Sequence, residues 1–212
     1  MISQPIPDCF KKCRLIAIDC ETTGLNIKYN TIIEIGCVEY NNGELKEFPD
    51  KKSGEVKYGF TKMFGGGHSS MYLVRKIHKI KDNERHNLKT FKQLAQGISE
   101  YLSNSIIVTH NGNSFDLPMI QQKLTEAGFP LQNYKSIDTL QLVRKMRKKE
   151  GVEDDDEKRV GGRNTLGNLC KEFGLTYGGE SGDKAHRGFE DAQACLELLF
   201  YLVNNGKVEV SL

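Results

Sequence analysis

The chain has 212 residues, enough for one globular domain with a real core. Its 30 basic and 28 acidic side chains leave a net charge of +2, so overall charge points to no polyanion partner; local clusters must carry any such argument. No apolar run is long enough to span a bilayer: the longest, around Cys195–Val203, is interrupted by Glu197, and no membrane association is expected. The residues before Cys9 lack the charged start and apolar centre of a secretion signal. Cys9, Cys13, Cys20, Cys37, Cys170 and Cys195 form no C-x-x-C pair and several lie in apolar runs. They are expected to be reduced and structural, and the protein to be intracellular, in cytoplasm or nucleus, rather than secreted.

In chain order, Arg14–Asp19 reads as a short buried strand, with Leu15 to Ile18 running together without helical spacing. Thr31–Tyr40 is a second strand rich in β-branched residues, and Asn42-Gly43 predicts a tight turn into a third. From Pro49 to Ser70 the pattern dissolves into a loop or hairpin extension. The glycines at 65–67 lack the Lys-Ser/Thr that follows in a phosphate loop, so they read as flexible. Thr90 caps a helix whose apolar residues Phe91, Leu94, Ala95, Ile98 and Leu102 recur at spacings of three and four. Ile106–Val108 is a short strand ending at His110, and Ser114–Ala127 is a helix stopped by Gly128. Ser136–Asp138 forms another strand, with Asp138 or Thr139 opening a helix through Met146.

Five basic residues in the six of Arg144–Lys149 then meet six acidic residues in the eight of Glu150–Glu157, which reads as a solvated insertion. Helices over Thr165–Phe173 and Phe189–Val203 follow. An opening meander and then alternating strands and helices predict an α/β fold with a mixed sheet. The whole of 1–212 is expected to be one domain, with a core of about 14–203, an insertion near 44–70 and a charged insertion near 149–163. Ligands in such sheets gather at the carboxyl ends of central strands.

Three polar patches fall at such places. Asp19-Cys20-Glu21 follows the first buried strand, and alternate residues of an extended chain point the same way, so both carboxylates project from one face. Asp116 begins a helix after the turn His110-Asn111-Gly112-Asn113, where a solvated acid at a helix start is the plain alternative. His186 and Asp191 are five residues apart and share no helical stripe, which puts His186 on a loop and Asp191 in the first turns of the last helix.

Taken together, these patches outweigh their plain readings. Four carboxylates converging without bases would repel one another unless cations bind them. Oxygen-rich sites suit Mg2+ or Mn2+ rather than zinc, and two such ions can hold the attacking and leaving oxygens of an in-line phosphoryl displacement. A neutral histidine, with an ordinary pKa of about 6.5, can accept the proton of the attacking water.

The segments Ile18-Asp19-Cys20-Glu21-Thr22-Thr23-Gly24-Leu25, Val108-Thr109-His110-Asn111-Gly112-x-x-Phe115-Asp116 and His186-Arg187-x-x-x-Asp191-Ala192 resemble the three motifs of DnaQ-like, DEDDh 3′→5′ exonucleases. His110-Asn111-Gly112 and Leu117-Pro118 also look somewhat like the Trex-type DNA exonucleases. The resemblance implies an RNase H-like fold, in which antiparallel early strands and central parallel strands are flanked by helices. It also implies release of nucleoside 5′-monophosphates from a 3′ end. It gives Asp19, Glu21, Asp116 and Asp191 to two Mg2+ ions, which Mn2+ would replace, and makes His186 the general base. Thr22, Thr23 and Leu25 would contact the terminal nucleotide, with Leu25 wedged against the base, and Asn111 would help place it. His78 joins these contacts by position, although the His-Gly-Ile-Thr of many relatives reads Ile77-His78-Lys79-Ile80 here.

Seven Lys or Arg residues between Arg75 and Lys92, and the basic run Arg144–Lys149, would attract phosphates, although exposed helix faces are the plain reading of both. Few aromatics are interleaved, which argues against stacking along a long strand. The expected partner is the 3′ end of a nucleic acid, DNA rather than RNA, single-stranded or frayed. The rivals are an exoribonuclease and a non-catalytic nucleic-acid-binding module of the same fold. Two assemblies stay open, a homodimer through an edge strand and association with a polymerase.

Overall fold

The structure, a computed structural model, describes residues 2–49, 56–66, 79–152, 162–178 and 187–210. Strand β1 (Arg14–Thr22) runs past Asp19, so the Asp19-Cys20-Glu21 triplet is itself strand. It pairs antiparallel with β2 (Ile32–Asn41), placing Asp19 opposite Gly36. Asn42 and Gly43 both have positive φ, 48° and 98°, the geometry a two-residue hairpin turn demands, and lead into β3 (Glu44–Leu45).

The stretch expected to be a loop or hairpin extension contains short strands. Strands β4 (Phe48–Pro49) and β5 (Val56–Lys57) form a separate ribbon, and β6 (Phe60–Met63) joins the main sheet opposite Glu34–Cys37 of β2. The reason is that β2 is buried almost throughout and β3 covers only its last two residues, so its remaining edge groups need partners. Gly65 is packed against the chain before helix α1 (Phe91–Leu102). It bridges to Thr90, and a Cβ there would lie 2.1 Å from the Leu88 carbonyl oxygen. Gly67 falls outside the described residues.

Helix α1 (Phe91–Leu102) opens with the expected cap: Thr90 Oγ accepts the Gln93 N–H at 3.3 Å while Gln93 Oε1 accepts the Thr90 N–H at 2.9 Å. After it come β7 (Ile106–Thr109), α2 (Asp116–Glu126), β8 (Lys135–Asp138) and α3 (Thr139–Lys149), which extends beyond Met146. Helix α4 (Leu166–Phe173) is capped by Thr165 and ends at Gly174 in the left-handed region, and α5 (Gly188–Asn204) follows.

The sheet order is β3-β2-β1-β7-β8, with β6 on the outer edge of β2; β1, β7 and β8 are parallel and β2 is antiparallel to β1. Residue alternation along β1 separates two cores. Leu15 and Ala17 face α3, α4 and α5, whereas Ile16, Ile18 and Cys20 face α1 and α2. Asp19 and Glu21 continue the first series and so lie on the α5 face. All six cysteines are free, and among the described residues no helix is long and apolar enough to cross a membrane.

Candidate active site

The carboxyl ends of the parallel strands β1, β7 and β8 lie together. Four carboxyl groups meet there from three elements. Asp19 and Glu21 come from the α5 face of β1, and Asp116 arrives from the first turn of α2 with its Oδ1 accepting the Cys20 N–H at 3.0 Å. Asp191 sits in the first turn of α5, buried, with the Tyr177 phenol donating to its Oδ2 at 3.5 Å.

Two contacts bring that helix onto the sheet. At Gly36 the strand touches Gly188 so closely that a Cβ would lie 1.7 Å from the Gly188 carbonyl carbon. Beside it Glu34, 0% exposed, holds Arg187 through two hydrogen bonds of 3.2 and 2.9 Å and accepts the Gly188 N–H at 3.1 Å. Sequence reasoning missed Glu34. Its signal was a lone charge inside the β-branched run Ile32-Ile33-Glu34-Ile35.

The electrostatics of the cluster follow first from burial and then from crowding. Withdrawal from water, then repulsion from Asp116, Asp191 and Glu21, drives Asp19 well above the usual carboxylate range. Burial and the charges of Asp191 and Glu34 push Glu21 up to about 9. Burial lifts Asp116 to about 6 against the pull of the Cys20 N–H. Among the described residues no three His, Cys, Asp or Glu side chains are set closely enough to hold a metal ion as they stand; Asp116 and Asp191 are turned toward protein donors. The donor set itself suits an oxygen-seeking divalent cation, being all carboxylate, with the neighbouring Arg187 committed to Glu34.

Asp138 organises the central motif. Its Oδ1 accepts the Asn111 and Leu140 N–H groups at 2.9 and 3.0 Å, and its Oδ2 the Asn113 N–H at 3.1 Å, so one side chain caps α3 and clamps the turn before Asp116. Asn111 takes a φ of 64° within that turn. His110 spans from Thr139 Oγ1, 2.8 Å from Nδ1, to the Asn164 carbonyl, 2.9 Å from Nε2, and burial lowers its pKa. A cleft of about 740 Å³ opens beside these groups, lined by Asp19, Asn111, Arg144, Asn168, Tyr177 and Asp191 among others. A volume of this size accommodates a nucleotide-sized ligand.

Thr22 and Thr23 are buried beyond Glu21, where the Thr22 hydroxyl donates to the Gly24 carbonyl at 2.8 Å and that of Thr23 to Asn30 Oδ1 at 3.1 Å. Leu25 projects into solvent. His186 and His78 lie outside the described residues. Two of the expected phosphate-attracting cations serve the interior instead. Arg85 is buried, donating to the Phe64 and Gly66 carbonyls at 3.1 and 2.7 Å, and Arg147 is buried against Glu172 at 2.6 Å.

The family model RNase_T, described as Exonuclease, matches residues 16–199. The chain belongs to the RNase_T exonuclease family. Within this DnaQ-like 3′→5′ exonuclease family, it is 27% identical over 187 residues to DNA polymerase III subunit epsilon of Treponema pallidum, covering 88% of this chain and 75% of that protein. It is 26% identical over 197 residues to the PolC-type DNA polymerase III of Clostridium perfringens, covering 93% of this chain but 12% of that one. The matching PolC-type polymerase of Ureaplasma parvum is 30% identical over 191 residues, 90% of this chain and 11% of that one. The chain thus spans about an eighth of the PolC-type relatives. Among solved structures, a zinc-bound complex of E. coli ExoI with single-stranded DNA superposes with a TM-score of 0.69 at 13% identity, covering 92% of this chain and 41% of that one. At that identity the likeness concerns the fold, which is the RNase H-like mixed sheet of these exonucleases. Exonucleases of this fold generally use divalent metal ions.

Proposed function

We propose that this RNase_T exonuclease works from 3′ to 5′ and releases nucleoside 5′-monophosphates from single-stranded or frayed DNA. The observation that carries the reading is the convergence of Asp19, Glu21, Asp116 and Asp191 on the carboxyl end of β1, where burial, joined for Asp19 and Glu21 by their neighbours' charges, raises the first three above ordinary carboxylate values. These four side chains are assigned as ligands of two Mg2+ ions, with Mn2+ able to substitute. When bound, the ions would neutralise the scissile phosphate and acidify a water.

His186 is assigned as the base that takes the proton of the attacking water. Thr22 and Thr23 hold the terminal nucleotide through the backbone they rigidify, Leu25 wedges against its base, and Asn111 and His78 complete the grip. The residues 1–212 act as one catalytic domain, inside the cell. The names of the relatives, DNA polymerase III PolC-type and subunit epsilon, favour DNA over RNA, and editing beside a polymerase over a homodimer.

The test is digestion of end-labelled DNA and RNA oligonucleotides with Mg2+, Mn2+ or EDTA. Metal-dependent loss of single nucleotides from the 3′ end supports the reading. Cleavage in EDTA, or attack from the 5′ end, overturns it. Faster loss of RNA transfers the substrate to RNA, and binding without cleavage leaves a non-catalytic module.

A further inference from the structure

Two of the four exposed large hydrophobic side chains among the described residues stand on one short loop. Leu25 is 71% and Tyr29 77% exposed, and both belong to the connection between Glu21 on β1 and the start of β2. Single exposed apolar residues are ordinary, and loop mobility accounts for many of them. This loop is braced instead. The Thr23 N–H donates to the Thr31 carbonyl at 2.9 Å, and Thr23 Oγ1 accepts the Thr31 N–H at 3.0 Å. Asn26 Oδ1 accepts the Lys28 and Tyr29 N–H groups at 3.0 and 3.2 Å, and the Asn26 carbonyl accepts the Asn30 N–H at 2.9 Å. The fold therefore holds the phenol ring in water on a fixed support. A cation accompanies it, with Lys28 Nζ 5.3 Å from the ring centroid.

The loop starts at the catalytic strand. Glu21 is two residues before Thr23, Tyr29 is two before Thr31, and Thr23 and Thr31 are bonded to each other, so the backbone at Tyr29 lies within about 20 Å of Glu21. That is within reach of the nucleotides just upstream of the one being removed.

We propose that Tyr29 and Lys28 form an outlying subsite for single-stranded nucleic acid, in which a base of the upstream strand stacks on the Tyr29 ring and the adjacent phosphate meets the Lys28 ammonium. Stacking is blind to base identity because every base has a π face, so the subsite holds the strand without reading its sequence. A base must leave its duplex partner to lie on an exposed ring, so the subsite selects unpaired strands. The inference rests on the exonuclease reading and deepens it by naming residues that would hold the unpaired upstream strand.

The experiment compares the 212-residue chain with Tyr29→Ala, Tyr29→Phe and Lys28→Ala on thymidylate dinucleotides and on longer single strands with Mg2+. Tyr29→Ala is expected to raise KM for long strands about tenfold while leaving kcat and the dinucleotide KM unchanged, and Tyr29→Phe to restore the wild-type KM. An abasic nucleotide at the stacked position should make the wild type behave like Tyr29→Ala. Lys28→Ala should lower the slope of log KM against log salt by about 0.7. An unchanged KM in Tyr29→Ala, or an equal rise on dinucleotides, overturns the subsite. If the wild type cleaves nothing, the exonuclease reading fails by itself. Binding of a fluorescent thymidylate strand in EDTA then decides the subsite: about tenfold weaker binding by Tyr29→Ala supports it and equal binding rejects it.

Discussion

Gly36 and Gly188 touch backbone to backbone: a Cβ on Gly188 would lie 2.5 Å from the Gly36 nitrogen and 3.2 Å from the Asp19 carbonyl oxygen. Gly36 is the β-sheet partner of Asp19, and Gly188 opens the helix that carries Asp191. The contact therefore sets how near the two carboxyls come. Alanine at either position must push helix and strand apart, which costs at least about 1–3 kcal/mol as overpacking does elsewhere. Urea melts should show that loss for Gly36→Ala and Gly188→Ala, together with a higher Mg2+ concentration needed for half-maximal cleavage. A Gly36→Ala chain of wild-type stability and activity would falsify the spacer role.

The ion pair between Glu34 and Arg187 is half hidden: the carboxylate is buried and the guanidinium side chain is 37% exposed. Removing only the arginine leaves a carboxylate in the interior with the Gly188 N–H as its remaining described donor. Arg187→Ala is predicted to destabilise the fold by about 3 kcal/mol, at the lower end for a broken buried pair because water reaches the arginine. The double change Glu34→Gln with Arg187→Ala should recover part of this. A double-mutant cycle showing no coupling would remove the pair from its bracing role.

Asp19→Ala and Asp191→Ala are predicted to bring cleavage below detection while circular dichroism stays native. Each change removes one of several mutually repelling acids, so the metal-free variants should melt no lower than the wild type. Substantial metal-dependent activity in either would contradict the ligand assignment. His186→Ala should slow cleavage about 10²–10⁴-fold, the usual loss for a general base, and unaltered rates near neutral pH would take that role from it.

Proton linkage gives a prediction for the metal-free chain. Asp116 and Glu21 are raised, to about 6 and about 9, above their ordinary values of 3.8 and 4.5. The folded chain therefore keeps protons that the unfolded chain has released, and the stability this confers is complete below those ordinary values. It is lost as pH rises through about 6 and then about 9. In EDTA the Tm should be lower at pH 8.5 than at pH 5.5, and Glu21→Gln should remove most of the difference, whereas Asp116→Asn, whose group has lost nearly all its protons by pH 7, should remove only a small part. Mg2+ or Mn2+ should raise Tm more at the higher pH. A metal-free Tm that climbs across this range would show that the acids are not crowded as described.

The chain announced its fold where local chemistry agreed with tertiary need. The Asn42-Gly43 turn, the Thr90 cap with Gln93 and the stop at Gly128 all formed as their residue types demand. Strand β6 was invisible because its four residues alternate weakly; its cause is the bare edge of β2, which no local pattern records. Asp19 and Glu21 were legible from strand alternation, and Asp116 from its helix start. Glu34 and Gly36 were not, because their partners Arg187 and Gly188 are more than 150 residues away. The basic clusters misled in part. Arg85 and Arg147 look like phosphate-seeking charges in the sequence, yet each is drawn into the interior by carbonyl or carboxylate acceptors.

The hydrogen bonds around His110 carry an arithmetic of their own. Thr139 has one hydroxyl proton, and its oxygen stands 3.1 Å from the Thr109 carbonyl as well as 2.8 Å from His110 Nδ1. If the neutral ring keeps its proton on Nδ1, the link through Thr139 to Thr109 is complete, and Nε2 faces the Asn164 carbonyl with a lone pair. If the proton sits on Nε2, the ring holds Asn164, and Thr139 must abandon either the ring or Thr109. Only a doubly protonated ring satisfies all three acceptors, and burial opposes that state. A choice between two tautomers in one imidazole thus decides whether the end of β7 has two links to α3 and none to the segment that leads into α4, or one link to each.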